Sequence, residues 1–158
     1  MDAKPPQRYP RHMATNAKLY DRDFYAWTRE QAALLREGRF AEADVANIVE
    51  EIETMGRSEK RELLSRLVVL LAHLAKWKFQ PALQSRSWRL TITAQRDDAA
   101  TLLADNPSLR PLLPELHAQA WRRAAIEAER ETGLDAATFP ADCPWSVEQS
   151  FDADFWPK

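Results

Sequence analysis

Residues 58–79 read SEKRELLSRLVVLLAHLAKWKF, and this stretch decides the fold. Leu63, Leu64, Leu67, Leu70, Leu71, Leu74 and Trp77 recur at intervals of three and four. At 3.6 residues per turn they line one side of a helix. Ser58 stands where an N-cap is favoured. Pro81 pushes the residue before it away from helical geometry and stops the helix near Phe79. A helix of about 22 residues is about 33 Å long, enough to be the spine of a domain.

The same period continues on both sides. Upstream, Val45, Ile48, Val49, Ile52 and Met55 form an apolar stripe over residues 43–55, which Gly56 is expected to end or kink. Before it, Tyr20, Phe24, Trp27, Gln31, Leu34 and Leu35 predict a helix from Lys18 to Glu37, closed by Gly38. Downstream, Ser87 is a second N-cap for a helix to Asp105, with Trp88, Ile92, Ala99, Leu102 and Leu103 on one side. Asn106-Pro107 opens a turn, and Pro114 to Thr132 reads as a helix with Leu116, Ala120, Trp121, Ala124 and Ala128 inward and Gly133 at its end. Ser146 and Gln149 fit a capping box for a short last helix. Phe139, Trp145, Phe151, Phe155 and Trp156 look like anchors for an irregular tail. Only Leu90-Thr91-Ile92-Thr93 alternates in the manner of a strand. The expected fold is therefore all-α, a single-domain bundle of about five main helices with a short C-terminal helix. It occupies residues 18–158 behind a loosely ordered lead-in, residues 1–17.

Composition narrows the function classes. Apolar residues are 45% of the 158 and include six tryptophans, so a chain this long needs neither metal nor disulfide to hold its core. The one cysteine, Cys143, excludes an intramolecular disulfide scaffold and Cys-rich zinc spacing. No apolar run approaches the ~20 residues that span a bilayer. The first residues carry charges but no apolar segment, so they do not read as a signal peptide, and a cytoplasmic location with no membrane association is expected. The three glycines are isolated, which excludes a phosphate-cradling loop. His12, His73 and His117 are far apart, and none follows a glutamate by three residues, which excludes the Glu-x-x-His of di-iron bundles. No cofactor is expected.

Two constellations remain. Glu50, Glu51 and Glu53 form a carboxylate cluster that, with His73, is a candidate divalent-metal site; the competing reading is a solvated acidic face with a half-buried histidine. Cys143 has no local activating partner and reads as structural. The second constellation is a charge pattern. Residues 63–96 hold six basic side chains and no acidic one, whereas residues 97–158 sum to −7 within a chain of net −2. Lys76, Trp77, Arg86, Trp88, Arg89 and Arg96 interleave cations with aromatics and are candidates for binding an anion or a partner. Such a run suits a phosphate backbone and stacked bases. The favoured reading is that it faces the protein's own acidic C-terminal third, through Glu127, Glu129, Glu131, Asp152 or Asp154, within one chain or across a dimer, because a segment of −7 must be accommodated and would repel nucleic acid.

The stretch Glu50-Glu51-Ile52-Glu53-Thr54-Met55-Gly56-Arg57-Ser58-Glu59-Lys60-Arg61 resembles the signature of a bacterial family catalogued as domain of unknown function twenty-nine. So do His73-Leu-Ala-Lys-Trp77 with Gln80-Pro81, Arg86-Ser-Trp-Arg89 with Gln95-Arg96, Asn106-Pro-Ser-Leu109, Thr132-Gly-Leu134, and Cys143-Pro144 through Asp154-Phe155. Ala75 stands where the pattern often has leucine. The resemblance implies an all-helical protein and no assigned activity. The expected function is a small non-enzymatic helical interaction protein whose partner is a second copy or another protein. A nucleic-acid-binding or processing protein using residues 76–96 is the first alternative, and a metal-dependent hydrolase using the glutamate cluster the second.

Overall fold

The computed structural model describes residues 19–158; the lead-in, residues 1–17, and the expected helix start at Lys18 lie outside the described residues. Helices account for most of what is described, and no strand occurs among the described residues. The chain divides into two compact units, the first ending at Gly56 and the second running from Arg57 to Lys158.

In the first unit, helix α1 (Phe24–Arg36) begins later than its apolar spacing predicts, because the Asp23 side chain accepts the Ala26 amide and caps it there. Residues 19–22 form a separate helical turn. Gly38, at φ 72°, turns the chain after α1. Asp44 then organises the entry to α2 (Val45–Phe79). Its amide donates to the buried Gln31 Oε1 at 2.7 Å, and its Oδ2 accepts from Trp27 Nε1 at 3.2 Å and from Asn47 Nδ2 at 2.7 Å. Tyr20, Phe24 and Trp27 pack as an aromatic trio with ring centroids 4.9–5.7 Å apart.

Two sequence expectations are corrected in this region. First, residues 43–79 do not form two helices: α2 is one helix of 35 residues, and neither Gly56 nor Ser58 interrupts it. A glycine stop works by adopting positive φ, as Gly38 and Gly133 do; Gly56 does not. Its cost, about 1 kcal/mol relative to alanine, is outweighed by the helix formers around it. Second, the stripe expected to be core is not. Val45 is 52% exposed, Val49 47%, Ile52 63% and Met55 68%. The first unit buries Trp27, Gln31, Leu34, Ala43 and Asp44, and among its described residues there is no further element that covers a second apolar face.

The second unit holds the leucine-rich part of α2. Leu63, Leu67, Leu70, Leu71 and Leu74 are fully buried against Ile92, Ala99 and Leu103 of α3 (Arg86–Asp105) and Leu116, Ala120, Trp121, Ala124 and Ala128 of α4 (Leu113–Thr132). Removing one such leucine costs about 2–5 kcal/mol. Helix α3 starts earlier than expected: Ser85, not Ser87, is the N-cap, accepting the Trp88 amide at 3.2 Å. The strand-like residues 90–93 lie inside α3. A 3-10 helix, Pro107–Leu112, leads into α4, which ends at Gly133 with φ 70°. The predicted capping box at Ser146 and Gln149 opens α5 (Val147–Phe151). The aromatic tail returns over the bundle: Phe139 meets Phe79, Trp145 meets Trp121, and Trp156 meets Trp77, at 5.4, 5.5 and 4.9 Å. No helix among the described residues is long and apolar enough to cross a membrane.

Candidate functional site

The basic, aromatic-laced segment lies in the second unit, and its members have different fates. Lys76 belongs to the last turns of α2, on the side that meets α4, and its side chain is only 5% exposed. Its Nζ donates to Glu131 of α4 at 2.5 Å and to His73 Nε2 at 3.2 Å, and it sits 5.0 Å above the Trp88 ring. His73 Nδ1–H donates to the Val69 carbonyl at 2.9 Å, which leaves Nε2 as the acceptor that Lys76 uses. Burial, and then the Lys76 charge, hold the His73 pKa below its ordinary value. The hydrogen bond from Lys76 lowers the pKa of Glu131. Lys76 is thus engaged within the protein, its ammonium shared between Glu131 and His73.

Arg96, in the middle of α3, is 4% exposed and also engaged. Its Nε donates to the Ser150 carbonyl at 2.9 Å, and its two terminal nitrogens to those of Phe155 at 2.8 Å and Ala153 at 3.4 Å. Trp156 covers the guanidinium, 5.4 Å from its centroid. Arg96 is thus the pin that holds the C-terminal tail, and it serves carbonyl dipoles rather than carboxylates. Arg66, outside the candidate set, pairs with Glu62 and Asp98 on the surface.

Arg86 and Arg89 differ. Both are exposed on the first turns of α3. The Arg89 guanidinium lies 6.0 Å from the centroids of both Trp77 and Trp156. Together with Trp77, Gln84, Ser85 and Leu90 the two arginines line an open groove of about 420 Å³. Of the six residues singled out in sequence, the structure brings Trp77, Arg86 and Arg89 to this groove and turns Lys76 and Arg96 inward, with Trp88 half-buried beneath Lys76.

The glutamate cluster lies in the first unit. Glu51 accepts the Tyr20 hydroxyl, and that bond raises the pKa of Tyr20. Glu50 and Glu53 are exposed and engaged in interactions of their own. Among the described residues, no three of His, Cys, Asp and Glu come together in a way that could hold a metal ion.

One cluster had no sequence signal because its members are 26 and 33 residues apart. His117, buried in α4, lies 2.9 Å from Ser150 Oγ and 4.0 Å from Cys143 Sγ. Ser150 donates its own proton to the Ser146 carbonyl, so its oxygen accepts from His117 Nε2–H. A protonated Nε2 cannot take the thiol proton, and burial pushes the Cys143 thiol up to about 11. The trio braces α5 against α4 and lacks the thiolate that nucleophilic chemistry requires.

No curated protein matches the chain, and no solved structure matches it. The family model described as domain of unknown function DUF29 matches residues 19–156, in agreement with the resemblance carried by the glutamate-rich signature and the tryptophan–arginine motifs. The chain belongs to the DUF29 family.

Proposed function

We propose that this protein is a non-enzymatic helical interaction protein that self-associates through its first unit. One observation carries the reading: of the eleven large hydrophobic residues exposed among the described residues, eight lie between Phe24 and Met55. Exposed apolar side chains concentrated in one unit support an interaction surface there, whereas single residues scattered over a protein do not. The occupant that fits is a second copy. The exposed apolar residues lie on both helices of the unit, Tyr25 and Leu35 on α1 and Val49 and Ile52 on α2. A two-fold axis that sets α1 of one copy against α2 of the other closes an apolar seam. That is the self-complementarity an isologous dimer needs.

The nucleic-acid reading loses support from the inward positions of Lys76 and Arg96, which remove two cations from any backbone-tracking surface. The hydrolase reading loses support from the dispersed carboxylates. Light scattering coupled to size exclusion tests the proposal. The expected mass is twice the 18.2 kDa of one chain, falling to one chain for Ile52→Glu. Because Ile52 is exposed, that substitution leaves the fold of a single copy intact. A wild-type monomer at high protein concentration refutes the proposal.

A further inference from the structure

The groove at the start of α3 has a chemistry that self-association does not use. Arg86 and Arg89 are three residues apart on a helix, so they are neighbours on one face, and both line the same groove with Trp77. No acidic residue lines it. Nearby cations have found anions or carbonyls: Arg66 pairs with Glu62 and Asp98, Lys76 with Glu131, and Arg96 with three tail carbonyls. Neither Arg86 nor Arg89 forms an ion pair with a carboxylate among the described residues. The aromatic pair Trp77 and Trp156 holds the Arg89 guanidinium from below, which restricts its motion without neutralising its charge. Both cations also stand at the end of α3 where the helix dipole disfavours positive charge, and the first turn has no acidic residue to compensate. An anion between them removes that conflict.

We propose that Arg86 and Arg89, walled by Trp77, bind a phosphate group, either free or carried as a monoester by a small molecule. Guanidinium forks pair with both carboxylate and phosphate, but the number of forks distinguishes them. A carboxylate has two oxygens, which one fork fills. A phosphate monoester has three terminal oxygens and close to two negative charges at neutral pH, and so accepts two forks. The open groove leaves room for the group that carries the ester.

The full-length protein is titrated calorimetrically with inorganic phosphate, a nucleoside monophosphate and acetate, in parallel with Arg86→Gln and with Arg110→Gln, an exposed arginine on the Pro107–Leu112 segment. Saturable phosphate binding that weakens about tenfold or more in Arg86→Gln, and is unchanged in Arg110→Gln, is the expected result. Tighter binding of the monoester identifies an esterified ligand; equal binding identifies phosphate itself. Acetate binding as tight as phosphate, equal losses in both variants, or no saturable phosphate binding at low salt overturns the proposal. Arg86 is exposed, and its variant is checked for unchanged helicity so that lost binding is not misread as lost fold.

Discussion

Arg96 makes a quantitative claim on the stability of the second unit. Replacing it by methionine keeps most of the apolar stem and removes the guanidinium. Two of its bonds are short, to Ser150 and Phe155 at 2.9 and 2.8 Å, and the third, to Ala153, is long at 3.4 Å. A hydrogen bond to a charged group contributes about 1.5–3 kcal/mol, so the two short ones are worth about 3–6 kcal/mol before offsets. Methionine returns part of this, because the native state no longer bears the cost of dehydrating a buried cation. The net loss expected for Arg96→Met is about 3 kcal/mol. For a chain of this length that lowers the midpoint of thermal unfolding by about 6–12 °C. The tail it releases carries Trp156, so tryptophan emission shifts to the red in the native baseline, and limited proteolysis cuts after residue 150 before the bundle unfolds. Thermal melts by circular dichroism, native fluorescence and a protease time course read all three. A loss under about 1 kcal/mol, with a tail as protease-resistant as wild type, would falsify the role assigned to Arg96.

Gly56 and Gly133 are expected to respond oppositely to alanine. Gly56→Ala stabilises by about 0.5–1 kcal/mol, because the site is helical and a Cβ there meets nothing within 4 Å; Gly133→Ala destabilises by a similar amount, because its φ is 70°. Chemical denaturation measures both. The pKa values of His73 and His117 are held down chiefly by burial, so below about pH 6.5 the unfolded chain binds more protons than the native one. Stability is therefore fully present above that pH and falls as pH drops towards 5, and the double variant His73→Gln, His117→Gln has a flatter denaturation profile between pH 7 and 5. Cys143, with its thiol pushed up to about 11, reacts with iodoacetamide at pH 8 about a hundredfold more slowly than a free cysteine. Mass spectrometry follows the reaction, and a rate near that of free cysteine contradicts the burial assigned to the thiol.

The sequence was most legible where local chemistry decides the outcome. The leucine period from Leu63 to Leu74, the left-handed stops at Gly38 and Gly133, and the capping box at Ser146 each act within one turn of helix, and each lies where its spacing places it. Gly56 misled because a glycine letter does not disclose its φ. The stripe from Val45 to Met55 misled for a different reason. Periodicity identifies an apolar face, but burial depends on whether another element is available to cover it. The candidate site was legible as a composition and not as a geometry. The acid-free run from Leu63 to Arg96 is visible in the letters, yet Lys76 meets Glu131 across 55 residues and Arg96 meets carbonyls that no sequence pattern encodes. Separation along the chain, here 33 residues, also hid the His117–Ser150 pair.

The central claim is that the exposed apolar side chains of the first unit are an interface between copies. Sedimentation equilibrium of the wild-type protein beside Ile52→Glu tests it most directly. The expected result is a dimer for the wild type, with a dissociation constant that rises at least a hundredfold in the variant while its helical circular dichroism stays unchanged. Wild-type protein that sediments as a single chain across the accessible concentration range, indistinguishable from the variant, contradicts it.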